Sequence, residues 1–241
     1  MTLIQVGLEN KLQGRTLAWA LDFPGVFTYG ADDAEALMRI PREMLRFEAW
    51  LNLHTDQPWV LLGGLDMHIY ETFEVSTVLA DGEPYEVNAF FKSDLLPLNA
   101  DDIQKTLLIF NWQREELLAG VETLPKELLT HESTDQPWSI ETILDHIARV
   151  ESWYFSRLGF EAWLKSETGT SLRLLELSKN AVNRLLPELE NSDQVFEHNC
   201  EKWSARKLAR RLLWHQRDHI DQIRDLAFRY FFLQPLDGPD R

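Results

Sequence analysis

The feature that most constrains this sequence is an apolar stripe near its carboxyl end that contains two histidines. Leu208, Leu212, His215, His219 and Ile223 follow one another at steps of four, three, four and four residues. This spacing places all five side chains on one face of an α-helix, and an apolar face packs against a core. The two imidazoles are therefore expected to point into the protein, one helical turn apart and within reach of one cation.

A third histidine, His146, lies far upstream on a segment that also has helical periodicity. Three neutral imidazoles from two helices suit a borderline divalent cation such as Zn²⁺, Ni²⁺, Fe²⁺ or Mn²⁺, and they leave coordination positions open. The alternative is that each histidine hydrogen-bonds a nearby carbonyl or hydroxyl group, because the H-x-x-x-H pattern without a neighbouring glutamate is weak. The sequence predicts a divalent metal site at His146, His215 and His219, and it assigns no catalytic residue.

Three polar residues close to these histidines are candidates for supporting roles. Asp145 and Asp218 each precede a predicted ligand and are expected to point about 100° away from it on the helix. They are therefore expected to be exposed or to orient a histidine, rather than to bind the metal. Gln222 lies near the stripe and is expected either to hydrogen-bond a substrate or to lie at the edge of the bundle.

Composition excludes several classes of function. The single cysteine, Cys200, rules out an internal disulfide and a cysteine-based zinc site. The amino terminus lacks a signal-peptide pattern, and no apolar run approaches the roughly 20 residues of a membrane span, so a cytoplasmic protein without a membrane partner is predicted. The net charge is −15, of which residues 1–100 contribute −9. Nucleic acid is therefore not an expected partner. A small-molecule substrate is expected instead.

One run of basic residues contrasts with the net negative charge of the chain. It begins the predicted last helix and has two interpretations: a solvated face, which is the usual one for a charge run, or a positive surface that attracts an anionic substrate. Its members are Lys202, Arg206, Lys207, Arg210 and Arg211.

The two halves of the chain differ in their predicted secondary structure. Residues 1–95 predict a small sheet with one helix packed on it, and Pro41 is expected to kink that helix or to begin a new one. The predicted strands are 16–22, 26–30, 67–79 and 85–91, and the predicted helix is 34–53.

Residues 100–241 are predicted to be almost wholly helical, which favours an antiparallel four-helix bundle. The predicted helices are 102–121, 139–158, 171–186 and 204–232, with a linker at 96–99. The fold class is therefore α+β, with a small sheet domain at 1–97 and an all-α bundle at 98–235.

The bundle resembles the DinB-like family of metal-dependent four-helix bundles. The resemblance lies in Pro137–Ile140, Leu144–Ala148 and Leu212–Ile223, where a tryptophan–serine helix start precedes one histidine and a late H-x-x-x-H pair follows. It implies metal ligands at His146, His215 and His219. It also implies a homodimer and a low-molecular-weight thiol, or water, activated for transfer to or isomerisation of a small electrophile. The alternative is a non-catalytic, stress-related module for metal binding or protein association.

The first half has a fainter resemblance to HicB-like antitoxin domains. It rests on Ala18–Gly30, which contains the D-x-P-G turn at Asp22–Gly25, and on the helix start at Asp33–Leu37. The fold implied is a small sheet similar to a degenerate double-stranded-RNA-binding domain. Only the fold is inferred, because the acidic charge of this half argues against nucleic acid.

Overall fold

The computed structural model describes residues 2–56, 59, 63–132 and 137–232. Its elements confirm the α+β class: a sheet half comes first and a helical half follows. Across the described ranges, no helix has the length and apolarity needed to cross a membrane. The elements are β1 (Thr2–Leu12), β2 (Arg15–Ala20), β3 (Phe27–Gly30), α1 (Asp33–His54), β4 (Leu65–Glu74), β5 (Ser76–Ala80), β6 (Glu83–Val87), α2 (Ala100–Glu122), α3 (Lys126–Leu129), α4 (Ile140–Ser156), α5 (Ser171–Leu185), β7 (Phe196–His198), β8 (Glu201–Trp203) and α6 (Ala205–Phe232).

The main sheet has four strands in the order β3-β2-β1-β4. Strand β1 lies in its centre, antiparallel to β2 and parallel to β4. Strand β1 was not predicted from the sequence, although Ile4, Val6 and Leu8 alternate with other residues and are almost fully buried. This period of two is the pattern of a strand with one face on the core.

Helix α1 packs on this sheet through Ala36, Ile40, Met44, Phe47 and Leu51, which recur at helical spacing and are buried. The expectation that Pro41 would begin a new helix is wrong, because α1 is continuous from Asp33 to His54. A proline removes one backbone hydrogen bond, and buried contacts on both sides of it hold the helix together.

The predicted strand 67–79 is two strands in two different sheets. Strand β4 ends at Glu74 in the main sheet, and β5 begins at Ser76 and pairs with β6 in a separate hairpin. Val75 lies between them and is buried, with its backbone N–H donating to the carbonyl of Asn10. Strand β6 ends at Val87, earlier than predicted.

The helical half is a bundle of α2, α4, α5 and α6, as predicted, and each helix begins and ends within about two residues of its predicted bounds. Side chains of Asn99, Ser139 and Thr170 accept a hydrogen bond from the first turns of α2, α4 and α5. The hairpin of β7 and β8 was not predicted. Its turn residues Asn199 and Cys200 both have positive φ.

A fully buried ion pair fixes the bundle helices relative to one another. The Arg114 guanidinium on α2 pairs with the Glu151 carboxylate on α4 and donates through Nε to Oε1 of Gln216 on α6 at 2.7 Å. Ser178 on α5 donates to the same carboxylate at 2.5 Å. One polar network therefore joins the four helices and sets the position of α4 against α6.

The first two turns of α6 join the bundle to the sheet half. Arg211 pairs with Glu9 of β1, and Arg210 pairs with Asp94 at 2.6 Å. All four side chains are at least nine-tenths buried. At Arg210 and Arg211 the basic run is therefore not a solvated face, because these two members neutralise buried carboxylates. Lys207 likewise pairs with buried Glu201 at 2.7 Å. The alternative, a positive surface that attracts an anionic substrate, stays a prediction. The division into domains at 97/98 stays a prediction.

Candidate metal centre

The three predicted ligands come together between α4 and α6. Nε2 of His215 lies 3.1 Å from Nε2 of His146 and 3.1 Å from Nε2 of His219. The three donor atoms all lie within 4.8 Å of one another. Metal–nitrogen bonds of about 2.0–2.1 Å at right-angled or tetrahedral angles separate neighbouring nitrogens by roughly 2.9–3.4 Å. The two distances from Nε2 of His215 fall within that range.

Hydrogen bonds within the protein do not satisfy all the nitrogen atoms of these three imidazole rings. Nδ1 of His219 lies 2.7 Å from Oε1 of Gln222, an acceptor, so Nδ1 carries the proton and the lone pair of Nε2 faces His215. Nδ1 of His215 is buried and has no partner among the described residues. A neutral His215 has one N–H, which can serve only one of its two imidazole neighbours. A cation between the three Nε2 atoms satisfies them all, so the residues fit a divalent metal.

The surroundings keep all three imidazoles neutral, as metal ligands must be. Burial, with the neighbouring His219 as a second cause, lowers the pKa of His146 to about 4. Burial also lowers the pKa of His215 and of His219 below the ordinary value of 6.5.

The triad opens into a cleft of about 800 Å³. Trp138 lies over two of the imidazoles, with its ring centroid 4.7 Å from that of His146 and 6.5 Å from that of His219. Trp214 forms another part of the wall, next to His215. A cleft of this size accommodates a small molecule.

One wall of the cleft comes from the sheet half. Tyr29 of β3 receives a hydrogen bond on its hydroxyl oxygen from Nε1 of Trp214 at 3.0 Å. It also lies close enough to Asp218 for each group to shift the pKa of the other. Burial raises the pKa of the Asp218 carboxyl above its ordinary value. Burial and Asp218 together raise the pKa of Tyr29, which therefore stays protonated. The other residues of the sheet half that line the cleft are Leu12, Gln13 and Arg15.

The three supporting candidates have different surroundings. Asp145 pairs with Arg149 one turn along α4 at 2.7 Å, in a half-exposed position. Asp218 is half-buried and lines the cleft instead of facing solvent. Gln222 orients His219, while also lining the cleft. Cys200 is exposed at the β7–β8 turn, outside this cleft.

Sequence reasoning missed the contribution of Arg15 and Tyr29. No local pattern could have indicated it, because it depends on how the sheet packs against α6, which carries residues nearly two hundred positions away. Trp138 was detectable, since it begins the segment that resembles the DinB-like pattern.

This fold and this site define a class of protein: a helical bundle in which two helices direct three imidazoles toward one point. The sequence profile of the DinB family matches residues 98–222, which is just over half of the chain. The chain belongs to the DinB family, as the resemblance predicted. The family match begins at Leu98, so the HicB-like resemblance of residues 1–97 stays a prediction.

Among solved structures, the chain is similar to YfiT from Bacillus subtilis, described as a probable metal-dependent hydrolase with an unusual four-helix bundle topology. The two are 20% identical, the match covers 56% of this chain and 90% of YfiT, and the TM-score is 0.45. No curated protein matches the chain.

Proposed function

We propose that this protein is a metal-dependent enzyme that holds one divalent ion on His146, His215 and His219. The observation that carries the proposal is the convergence of three Nε2 atoms within 4.8 Å in an open cleft. A triad of three histidines is typical of catalytic sites, because it leaves positions free for a water or a substrate.

We further propose that the nucleophile is the thiol of a low-molecular-weight cofactor, or water, and that the acceptor is a small electrophile. When bound, the metal supplies Lewis-acid chemistry, which lowers the pKa of such a group. The DinB-like resemblance favours the thiol, and the cleft of about 800 Å³ is large enough for a small-molecule ligand.

The side chains around the triad have separable roles in this proposal. Gln222 holds the proton of His219 on Nδ1 and so presents Nε2 to the ion. Trp138 covers the rings of His146 and His219 and excludes water from that side. Asp218 lines the same cleft, and because burial raises its pKa, it is suited to accept the proton of the nucleophile.

The first test is metal content, measured by emission spectroscopy on purified protein and after reconstitution with Zn²⁺, Ni²⁺, Fe²⁺ or Mn²⁺. The wild type is expected to retain about one ion per chain, and His215→Asn to retain none. His68→Asn is the matched control, because His68 is exposed and its ion-pair partner among the described residues is Asp66. Equal metal content in all three proteins, or none in the wild type, contradicts the proposal.

The second test is turnover with a chromogenic electrophile and a panel of low-molecular-weight thiols, with water alone as the thiol-free arm. Asp218→Asn is expected to keep the metal and to lower kcat by about 10² or more, the usual contribution of a general base. A metal-loaded wild type that turns over no substrate and changes only its association state favours the non-catalytic alternative.

A further inference from the structure

The sheet half contributes a charged side chain to the cleft through the tip of its first hairpin. Strands β1 and β2 are joined by Gln13 and Gly14, both of which have positive φ, so that Leu12 pairs with Arg15. Two consecutive residues of positive φ form the tight turn that suits the twist of a hairpin. Three of these four residues line the cleft that contains the triad.

Arg15 differs from the arginines that join the two halves. Arg210 and Arg211 are buried and each pairs with a buried carboxylate. Arg15 is exposed and forms no ion pair within the ranges that the structure describes, although its charge acts on the Asp218 carboxyl and partly offsets the effect of burial on the pKa of that group. Its guanidinium carbon lies 4.1 Å from the centroid of the Tyr29 ring, which holds it by a cation–π contact. The cleft wall therefore has a cation that is positioned by an aromatic ring.

We propose that Arg15 selects substrates that have a carboxylate group, by pairing with it while the reactive end of the substrate lies at the histidine triad. This proposal rests on the proposed function, since it assigns a substrate class to the same site. A guanidinium presents its donors in a planar fork that matches a carboxylate.

The charges of the cleft favour a carboxylate over a phosphate. Asp218, Asp221 and Asp225 also line it. At Arg15 they repel a phosphate monoester, which has nearly two charges on one group, more than a carboxylate group, which has one. Arg15 and Arg229 are the cationic side chains of the lining. Arg15 is the one held against an aromatic ring, so we place the carboxylate there.

The proposal can be tested on the full chain reconstituted with Co²⁺, whose visible absorption changes when its ligands change. The probes are malonate, succinate, glutarate and adipate, each paired with the monocarboxylate of the same chain length. Wild type is compared with Arg15→Gln and with Arg184→Gln, a control at an exposed arginine on α5 that lies outside the cleft. Urea unfolding of each variant establishes that the fold is unchanged.

At least one dicarboxylate is expected to bind to the wild type and to Arg184→Gln about tenfold more tightly than to Arg15→Gln. The paired monocarboxylate is expected to bind to all three proteins equally. Equal affinity of the three proteins for every dicarboxylate overturns the role of Arg15 and leaves the metal site standing. A wild type that binds no Co²⁺ overturns both proposals, and this is measured before any carboxylate is added.

Discussion

Replacing Glu9 by glutamine is expected to lower the free energy of unfolding by about 3–5 kcal/mol. The Glu9 carboxylate is fully buried on β1. It pairs with Arg211 and accepts hydrogen bonds from Nε1 of Trp19 at 3.0 Å and from the backbone N–H of Ala89 at 2.8 Å. Glutamine keeps the shape but removes the charge, so that the buried Arg211 guanidinium is left uncompensated.

The measurement is urea unfolding, with the midpoint and the m-value determined separately. For a chain of this size, the expected loss corresponds to a fall in Tm of roughly 6–20 °C. Glu74→Gln is the matched control, because its pair with Lys11 is exposed at both ends, with 63% and 67% of the side chains accessible. That control is expected to change stability by about 0–1 kcal/mol.

A double replacement separates the loss of charge from the loss of packing. Glu9→Leu combined with Arg211→Met removes both charges and is expected to be more stable than Glu9→Gln alone, since buried pairs can be exchanged for apolar residues at little cost. If Glu9→Gln unfolds within about 1 kcal/mol of the wild type at an unchanged m-value, the pair does not hold the sheet on the bundle and the reasoning is refuted.

Three further predictions follow from the same contacts. Burial raises the pKa of Glu9, but Arg211 and Arg210 lower it more, to below 4.5. The contribution of Glu9 to stability is therefore complete above about pH 4.5 and lost below it. Urea titrations at different pH values should show that the free energy of unfolding falls more steeply with acid for the wild type than for Glu9→Gln. Equal pH dependence of the two proteins contradicts this prediction. Gln222→Leu should weaken metal binding by about 10–100-fold in chelator competition, whereas unchanged affinity would remove its orienting role. Light scattering should give twice the chain mass of 28.2 kDa for the predicted homodimer, and a monomeric mass disproves it.

Local periodicity predicted the parts of the site that lie on single helices. The spacing of His215 and His219 within an apolar stripe fixes their side of α6, and the structure places His146 opposite them as expected. The caps at Asn99 and Ser139 were likewise detectable, because a capping side chain acts within three residues. These features depend on neighbours in the sequence.

The contacts that join the two halves could not be predicted, because each depends on residues far apart in the chain. Arg211 and Glu9 are separated by 202 positions. Charged residues are seldom fully buried. A basic run on a helix therefore indicates a solvent-exposed face unless its ion-pair partners are known. The parallel pairing of β1 with β4 is also non-local, since it joins the first strand to one that follows α1.

If Arg15 selects the substrate as we propose, the short turn at Gln13 and Gly14 offers a way to change substrates without changing the chemistry of the proposed metal site. The three histidines lie on α4 and α6, whereas the hairpin tip belongs to the sheet half and lines the same cleft. Residues inserted into or deleted from such a tip extend or shorten the hairpin locally. Variation there would reshape this wall of the cleft and move Arg15, while leaving the three imidazoles where they are.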